Sequence, residues 1–449
     1  MHKNNNNAIA KPGRLAGQLA GQLAGRLALM VLTGFFLAKP SLALDTDFEL
    51  VAGVGYSDNI SRVDASRDID TVITAAAFTL NLEEKSERLD LNAHSSLSFV
   101  SYQDNTFDDE TLGLITASAL IRLSEQNFSW FFTENLGQQV IDSLQAVTPD
   151  NRESINYFST GPRLSLPLGA RTRFNLNGSF SNVQYEKRPL DNNRFGGSIG
   201  LERVLSQNRS LSLIVEGDRI EYDDAPPNAP VDKQSAYLRL QMSAARNQLK
   251  LNLGWNQVER AGNKGDGLLV ELDWKHQVSA VSTISVHLGT RFSDAGDIFR
   301  FIQSIDSRRA DTQDIQNVND PFRLDTASVG YQFNKFRISF SIYAFVENEN
   351  YESRTDLDRD RSGINLELGG DLTRSLNATL FTSLSYRDYA NTARRDDDST
   401  YGFRLRWDFS RTLGMDLGIQ RIERDSDNSF FDYKENQAYV GLVFRPGKK

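Results

Sequence analysis

After its first forty-odd residues this chain alternates apolar and polar residues at every second position, almost to its end. Leu249, Leu251, Leu253 and Trp255 interleave with Lys250, Asn252 and Asn256; Tyr401, Phe403, Leu405, Trp407 and Phe409 interleave with Arg404, Arg406 and Asp408. Successive strand side chains point to opposite faces, so each segment has one apolar and one polar face. The connections between segments alternate between short and long. Many amphipathic strands in that rhythm are the mark of one large antiparallel transmembrane β-barrel, an all-β fold in which only every second residue meets lipid.

Composition fits this reading once the two-residue period is taken into account. Hydrophobic residues are 39% of the 449, and mean hydropathy is −0.45. No run of roughly 18 apolar residues follows position 43, so a bundle of membrane helices is excluded. Residues 1–43 read as an export signal. Lys3, Lys11, Arg14, Arg26 and Lys39 precede any useful acidic counterweight, Leu27–Ala38 has the length of a signal core, and Ser41-Leu42-Ala43 offers small residues for cleavage before Leu44. Residues 44–449 then form the barrel, in the outer membrane of a Gram-negative bacterium. Without the leader, 45 bases face 59 acids, a formal charge of −14. Such a chain is a poor match for nucleic acid. It suits loops bathed in divalent cations. The absence of cysteine rules out disulfides, thiolate metal sites and cysteine nucleophiles.

Twenty strands fit the pattern: 46–57, 69–82, 88–102, 110–123, 128–140, 153–166, 171–186, 192–205, 210–222, 233–246, 248–260, 267–279, 283–293, 322–334, 336–350, 361–373, 376–389, 399–410, 412–424 and 435–446. Eighteen is the neighbouring even solution, and an even count returns both termini to the periplasm. Most segments exceed the roughly 9–11 residues that cross a bilayer, which predicts strands continuing above the membrane. Tight turns, at 83–87, 125–127, 206–209, 246–247, 374–375 and 410–411, are expected at the periplasmic end. The loops 58–68, 141–152, 223–232, 294–321, 351–360, 390–398 and 425–434 are expected outside. The longest, 294–321, is expected to cap the mouth or fold inward, since loops of this length are functional or disordered. Aromatic residues near strand ends (Tyr56, Phe99, Tyr102, Phe128, Trp130, Tyr185, Tyr222, Tyr389, Trp407, Phe409) are expected in interfacial girdles.

If the apolar face meets lipid, the other face lines a lumen. By that period Arg171, Arg173, Arg239, Glu271, Asp273, Lys275, Arg291, Arg337, Glu367, Asp371, Arg404, Arg406, Asp408 and Asp416 face inward. An Arg or Lys facing hydrocarbon at mid-depth would cost roughly 2–4 kcal/mol. These groups either hydrogen-bond a hydrated cargo or form salt bridges that stiffen a wide barrel. Asp356, Asp358 and Asp360 faintly resemble a calcium loop. Gly363 comes two positions late and the closing Glu is missing, so a solvated acidic loop is expected rather than a metal site. No cofactor is implied. Beyond the leader the histidines are His94, His276 and His287. There is no Gly-x-Ser-x-Gly elbow and no His-Glu-x-x-His helix, so an enzyme is not expected.

The opening segment reads Val51-Ala52-Gly53-Val54-Gly55-Tyr56-Ser57-Asp58-Asn59-Ile60-Ser61-Arg62. It resembles the Gly-x-x-Tyr-x-Asp-Asn-x-x-Arg signature of the β-barrel porin family found in exopolysaccharide gene clusters, the EpsL-like outer-membrane barrels. The resemblance implies a barrel tied to exopolysaccharide export or biosynthesis, acting as a pore or surface component of a secretion system. Its partners would be outer-membrane lipids and lipopolysaccharide, the polysaccharide and periplasmic export proteins. It supplies no catalytic residues. The chain departs from the usual terminal aromatic residue, because Phe444 is followed by Arg445-Pro446-Gly447-Lys448-Lys449. A diffusion porin for small solutes and a structural or adhesin barrel are the alternatives.

Overall fold

The computed structural model describes residues 44–103, 106–124, 127–224, 229–305, 320–390, 392 and 394–446, with side chains of the helix at 295–305 described up to Arg300. The proposed leader lies outside these residues. The strands are β1 Asp45–Ser57, β2 Thr71–Lys85, β3 Leu89–Tyr102, β4 Glu110–Arg122, β5 Phe128–Val140, β6 Arg152–Pro167, β7 Thr172–Tyr185, β8 Asn192–Ser206, β9 Arg209–Tyr222, β10 Val231–Ala244, β11 Asn247–Arg260, β12 Asn263–Ser279, β13 Ser282–Ser293, β14 Phe322–Lys335, β15 Ile338–Tyr351, β16 Arg359–Asp371, β17 Leu376–Tyr389, β18 Arg394–Asp408, β19 Leu413–Ser426 and β20 Tyr433–Phe444. Helix α1 spans Ala295–Ile305, between β13 and β14.

Each strand pairs antiparallel with its neighbours in sequence, and β20 returns to β1 in the register Leu50↔Phe444 to Ser57↔Gln437. The result is a closed twenty-stranded barrel, whose seam leaves no strand without a neighbour on either side. β1 extends below this seam, where Asp45 to Glu49 pair with β2 alone at the closure.

Short connections such as 207–208, 280–281 and 336–337 gather at one end, which by the rule for bacterial barrels is periplasmic. From there the outward face is apolar for about ten residues up each strand. Leu268, Leu288, Leu368, Leu380, Ile419, Val440 and Leu442 are all exposed there. Trp407 and Phe409 mark its lower border, and Tyr56, Phe99, Phe180, Phe195 and Tyr401 its upper border. Above that border the strands continue with a polar outer face, exemplified by the exposed Arg219–Glu221–Asp232 group.

Four tyrosines expected in the girdles sit elsewhere. Tyr102, Tyr185, Tyr222 and Tyr389 are buried on the inner face at the long-loop end. Their phase in the two-residue period puts them opposite the lipid-facing rings, and packing inside the protruding strands buries them. Two stretches outside the expected strands are also strand, residues 263–266 and, within the expected loop 390–398, residues 394–398. β12 begins at Asn263, joined to β11 by the two-residue turn Ala261-Gly262 with φ of 51° and 83°, and β18 begins at Arg394. A pair of left-handed residues is the tight hairpin geometry whose twist matches the flanking strands.

Candidate functional site

The loop after β13 folds into the barrel. Asp294 caps α1 by accepting hydrogen bonds from the amides of Gly296 (2.9 Å) and Asp297 (3.2 Å). The apolar side of the helix, Ala295, Ile298 and Phe299, packs among Ile155, Tyr157, Val183, Tyr185, Phe322 and Tyr351. One short helix touching side chains from β6 to β15 must lie on the concave side of the sheet. The polar strand face is therefore the interior.

The acidic side of α1 meets basic residues on that interior wall. Arg194 of β8 clamps Asp294 at 2.7 and 3.2 Å and reaches Asp297 at 3.4 Å. Lys233 of β10 pairs with Asp294 at 2.6 Å and Asp297 at 2.5 Å, with Asp218 of β9 farther off at 3.6 Å. The Arg194 and Arg300 guanidinium carbons lie 5.3 and 5.4 Å from the Tyr157 ring centroid. Gly296 permits the approach, since a Cβ there would sit 2.2 Å from Arg194 Nη2.

A second loop, 141–151, crosses the mouth. Asn151 braces it internally, donating to the carbonyls of Asp142 (2.8 Å) and Ala146 (2.9 Å). Its outer carbonyls are then held from the far wall. Tyr389 Oη donates to Ser143 O (3.3 Å), Arg394 Nη1 to Leu144 O (2.7 Å) and Arg62 Nη1 to Val147 O (2.7 Å). β5 and β17 are eight strand steps apart through the β1–β20 closure, so the Tyr389 and Arg394 bonds span the barrel, whereas Arg62 reaches the loop from the β1–β2 connection, four steps from β5. Arg62 is anchored by Glu435 of β20, at 2.8 Å.

Below α1 a hydrogen-bonded belt runs across five strands. Tyr237 Oη donates to Glu216 (3.0 Å) and accepts from Arg239 Nη2 (3.0 Å). Arg239 Nε donates to Asn252 (2.9 Å), Asn252 to Glu271 (2.6 Å), and Arg291 to the other Glu271 oxygen (2.7 Å). Three cavities adjoin it. One of about 640 Å³ reaches from Asp297, Arg300 and Lys233 to Asn177, Ser198 and Glu216. A smaller one of about 230 Å³ is lined by Asn175, Ser212, Tyr237, Arg239 and Gln241. The third, about 710 Å³, lies toward the short-turn end among Glu202, Lys250, Asp273, Lys275, His287 and Glu347.

The residues singled out from sequence are spread over several parts of the interior and its rims. Arg239, Glu271 and Arg291 are in the belt, and Lys275 lines the cavity of about 710 Å³ with Asp273, which His287 Nδ1 meets at 2.8 Å. Arg404 lies over the Phe381 ring (4.5 Å); Arg406 pairs with Asp416 (2.5 Å), and Asp408 with Arg445 (3.1 Å) near the seam. Arg173 and Glu367 are on the polar phase of β7 and β16, in register with Glu202 and Ser341, and Asp371 accepts from Asn377 (2.9 Å). Arg171 and Arg337 sit in turns below the strands, because β7 and β15 begin one residue later. The acids of the calcium-like stretch have separate partners. Asp356 pairs with Arg354 (2.7 Å), Asp358 accepts from the Tyr351 amide (2.8 Å) and Asp360 accepts from Asn348 (2.6 Å). Among the described residues, no group of three or more His, Asp or Glu side chains is placed to hold a metal ion.

Arg194, Lys233, Asp294, Asp297 and Tyr157, which join α1 to the inner wall, are not among the residues singled out from sequence. The available signal was the Asp294-x-x-Asp297 spacing ahead of Ile298 and Phe299, a helix start inside the longest loop.

No curated protein matches this chain. Solved structures similar to it include the siderophore receptor PirA from Acinetobacter baumannii (TM-score 0.48, 10% identity, covering 91% of this chain and 81% of that one). Others are PirA from Pseudomonas aeruginosa (0.42, 10%, 90% and 81%) and the ferric citrate transporter FecA (0.43, 12%, 89% and 78%). Residues 360–446, which run from β16 through β20, match the family model described as "Putative beta-barrel porin 2", and the chain as a whole is a closed twenty-stranded antiparallel β-barrel with an apolar outer face.

Proposed function

We propose that this barrel is the outer-membrane conduit of an exopolysaccharide export system. The observation that carries the reading is the chemistry of the inner wall. Around the smaller cavity Asn175, Ser212, Tyr237 and Gln241 stand beside Glu216 and Arg239. Amide, hydroxyl, carboxylate and guanidinium groups together suit the mixed donors and acceptors of sugar hydroxyls. The resemblance of the opening segment Gly53–Arg62 supports the same reading, and the family match at residues 360–446 supports its porin-like part alone. On it, the cargo enters from the short-turn side, where the cavity of about 710 Å³ lies, and the two loops at the outer end withdraw for passage. Lipid and lipopolysaccharide surround the apolar belt, and periplasmic export proteins meet the short turns.

A diffusion porin for small solutes is favoured by one feature, the narrowing of the interior by α1. Deleting the gene in its host and measuring secreted polysaccharide, with solute flux measured in proteoliposomes, separates the two. Loss of secreted polymer, restored by the unaltered gene but not by charge reversals at Arg404 and Arg406, supports export. Unchanged polymer with strong solute flux overturns it in favour of the porin. Unchanged polymer without flux overturns both and leaves a structural barrel.

A further inference from the structure

Arg194 and Lys233 are wall residues whose counterions come from the loop. Arg194 is 2% exposed; its carboxylate partners are Asp294 and Asp297, and its Nε donates to the Asn192 amide oxygen. Lys233 has the same two partners, and Asp218 is its one carboxylate from the wall. When α1 withdraws, Arg194 loses every acidic partner and Lys233 keeps only the long one. Buried cations stripped of counterions are unfavourable, so the wall beneath α1 needs an anion whenever the helix is away. In a chain of net charge −9, such a site is not background.

We infer that Asp294 and Asp297 stand in for the carboxylates of an acidic saccharide, and that Arg194 and Lys233 form an anion subsite which such a polymer occupies as α1 is displaced. The inference rests on the export reading and adds to it the charge of the polymer. A uronate carboxylate offers a guanidinium the same two-oxygen fork that Asp294 offers Arg194. The Tyr157 ring beside Arg194 provides an apolar face for a pyranose ring. The adjoining cavity of about 640 Å³ continues with Asn177, Ser179 and Ser198, groups that pair with hydroxyls. Docked, the helix competes with cargo; bound cargo holds the helix off.

The test is calorimetric titration of the purified full-length barrel, in detergent, with an oligogalacturonate and a maltooligosaccharide of equal length. The pair D294N and D297N keeps the helix cap, because Asn caps as well as Asp, and removes the competing charge. This variant is expected to bind oligogalacturonate at least about tenfold more tightly than the unaltered barrel, with the neutral oligomer unaffected. K233Q is expected to weaken acidic binding, and R194Q to abolish it. Barrel closure in each variant is checked by heat-dependent gel mobility. If R194Q does not fold, K233Q and the Asn pair still decide the matter. Equal response to acidic and neutral oligomers overturns the proposal, as does an Asn pair that binds no better than the unaltered barrel. Either failure leaves polymer secretion as an independent test of the export reading. Conversely, acidic binding in a barrel on which secretion does not depend supports the anion subsite and removes its assignment to export.

Discussion

Glu435 shows how one side chain serves both wall and mouth. Fully buried at the top of β20, it accepts from Ser57 Oγ (2.6 Å) across the seam, from Arg62 Nε (2.8 Å) and from Gln437 (2.6 Å). Arg62 in turn holds the carbonyl of Val147. Replacing Glu435 with Ala removes the acceptor shared by a buried hydroxyl and a mostly buried guanidinium, at a cost of about 3 kcal/mol. Urea unfolding of the barrel in vesicles should show that loss, and E435Q, which keeps one acceptor oxygen, should lose less. Asp294 gives a pH prediction of the opposite character. Burial alone would raise its pKa, but Arg194 and Lys233, through charge and hydrogen bonds, hold it well below the usual carboxylate range. Asp297 on the helix and Tyr185 and Tyr222 on the wall also face it. A carboxylate whose folded pKa is depressed stabilises the docked loop fully above its unfolded pKa of about 4, and that stabilisation is lost progressively as pH falls from there through the lower folded value. Conductance should accordingly be flat from about pH 8 to pH 5. A step within that window would show that another group controls the loop.

At the scale of the strand, alternation made the membrane-embedded parts legible, and its reach ended where the membrane does. Leu249 to Trp255 and Tyr401 to Phe409 read correctly because lipid on one side and water on the other force a two-residue period. Above the bilayer both faces of a strand meet water or packed protein, and the ladder no longer needs apolar residues outside. Arg394-Arg395-Asp396-Asp397-Asp398 therefore looked like a loop yet pairs with β17 and β19. Asn263 to Asp266 pairs with β11 for the same reason. Inside, glycines set how closely strands and rings approach. A Cβ on Gly254 would lie 2.1 Å from Ala236 O and 2.4 Å from Tyr237 Cβ, and one on Gly418 would lie 2.1 Å from the Tyr439 ring. G254A should therefore push β10 away and displace the Tyr237 hydroxyl from Glu216 and Arg239. The expected cost is about 1–3 kcal/mol, with a change in conductance absent from an alanine placed at Gly169, which has open space around it.

The whole molecule pairs a lipid-facing wall that its sequence states openly with an interior whose arrangement its sequence states only in part. The lumenal phase of Arg239, Glu271 and Arg291 follows from periodicity. That Arg194 meets Asp294, or that Ser143 lies against Tyr389, depends on which loops turn inward, and no local pattern carries that information across eight strands. The consequence is a barrel whose outer end is held by few bonds. Loop 141–151 is tied to the far wall by the Tyr389 hydroxyl and the Arg394 guanidinium, with Arg62 beside them. Y389F and R394Q together remove two of these ties while leaving the strand pairing of β17 and β18 intact. At about 0.5–1.5 kcal/mol for the neutral hydrogen bond and about 1.5–3 kcal/mol for the one with a charged donor, the loss shifts the balance between held and released loop roughly thirty- to two-thousandfold. Single-channel recordings should then show longer and more frequent open periods, with the conductance of the open level unchanged, because the belt below is untouched. Unaltered open times would mean that α1 alone closes the barrel, and the same recordings on the D294N and D297N pair would show it directly.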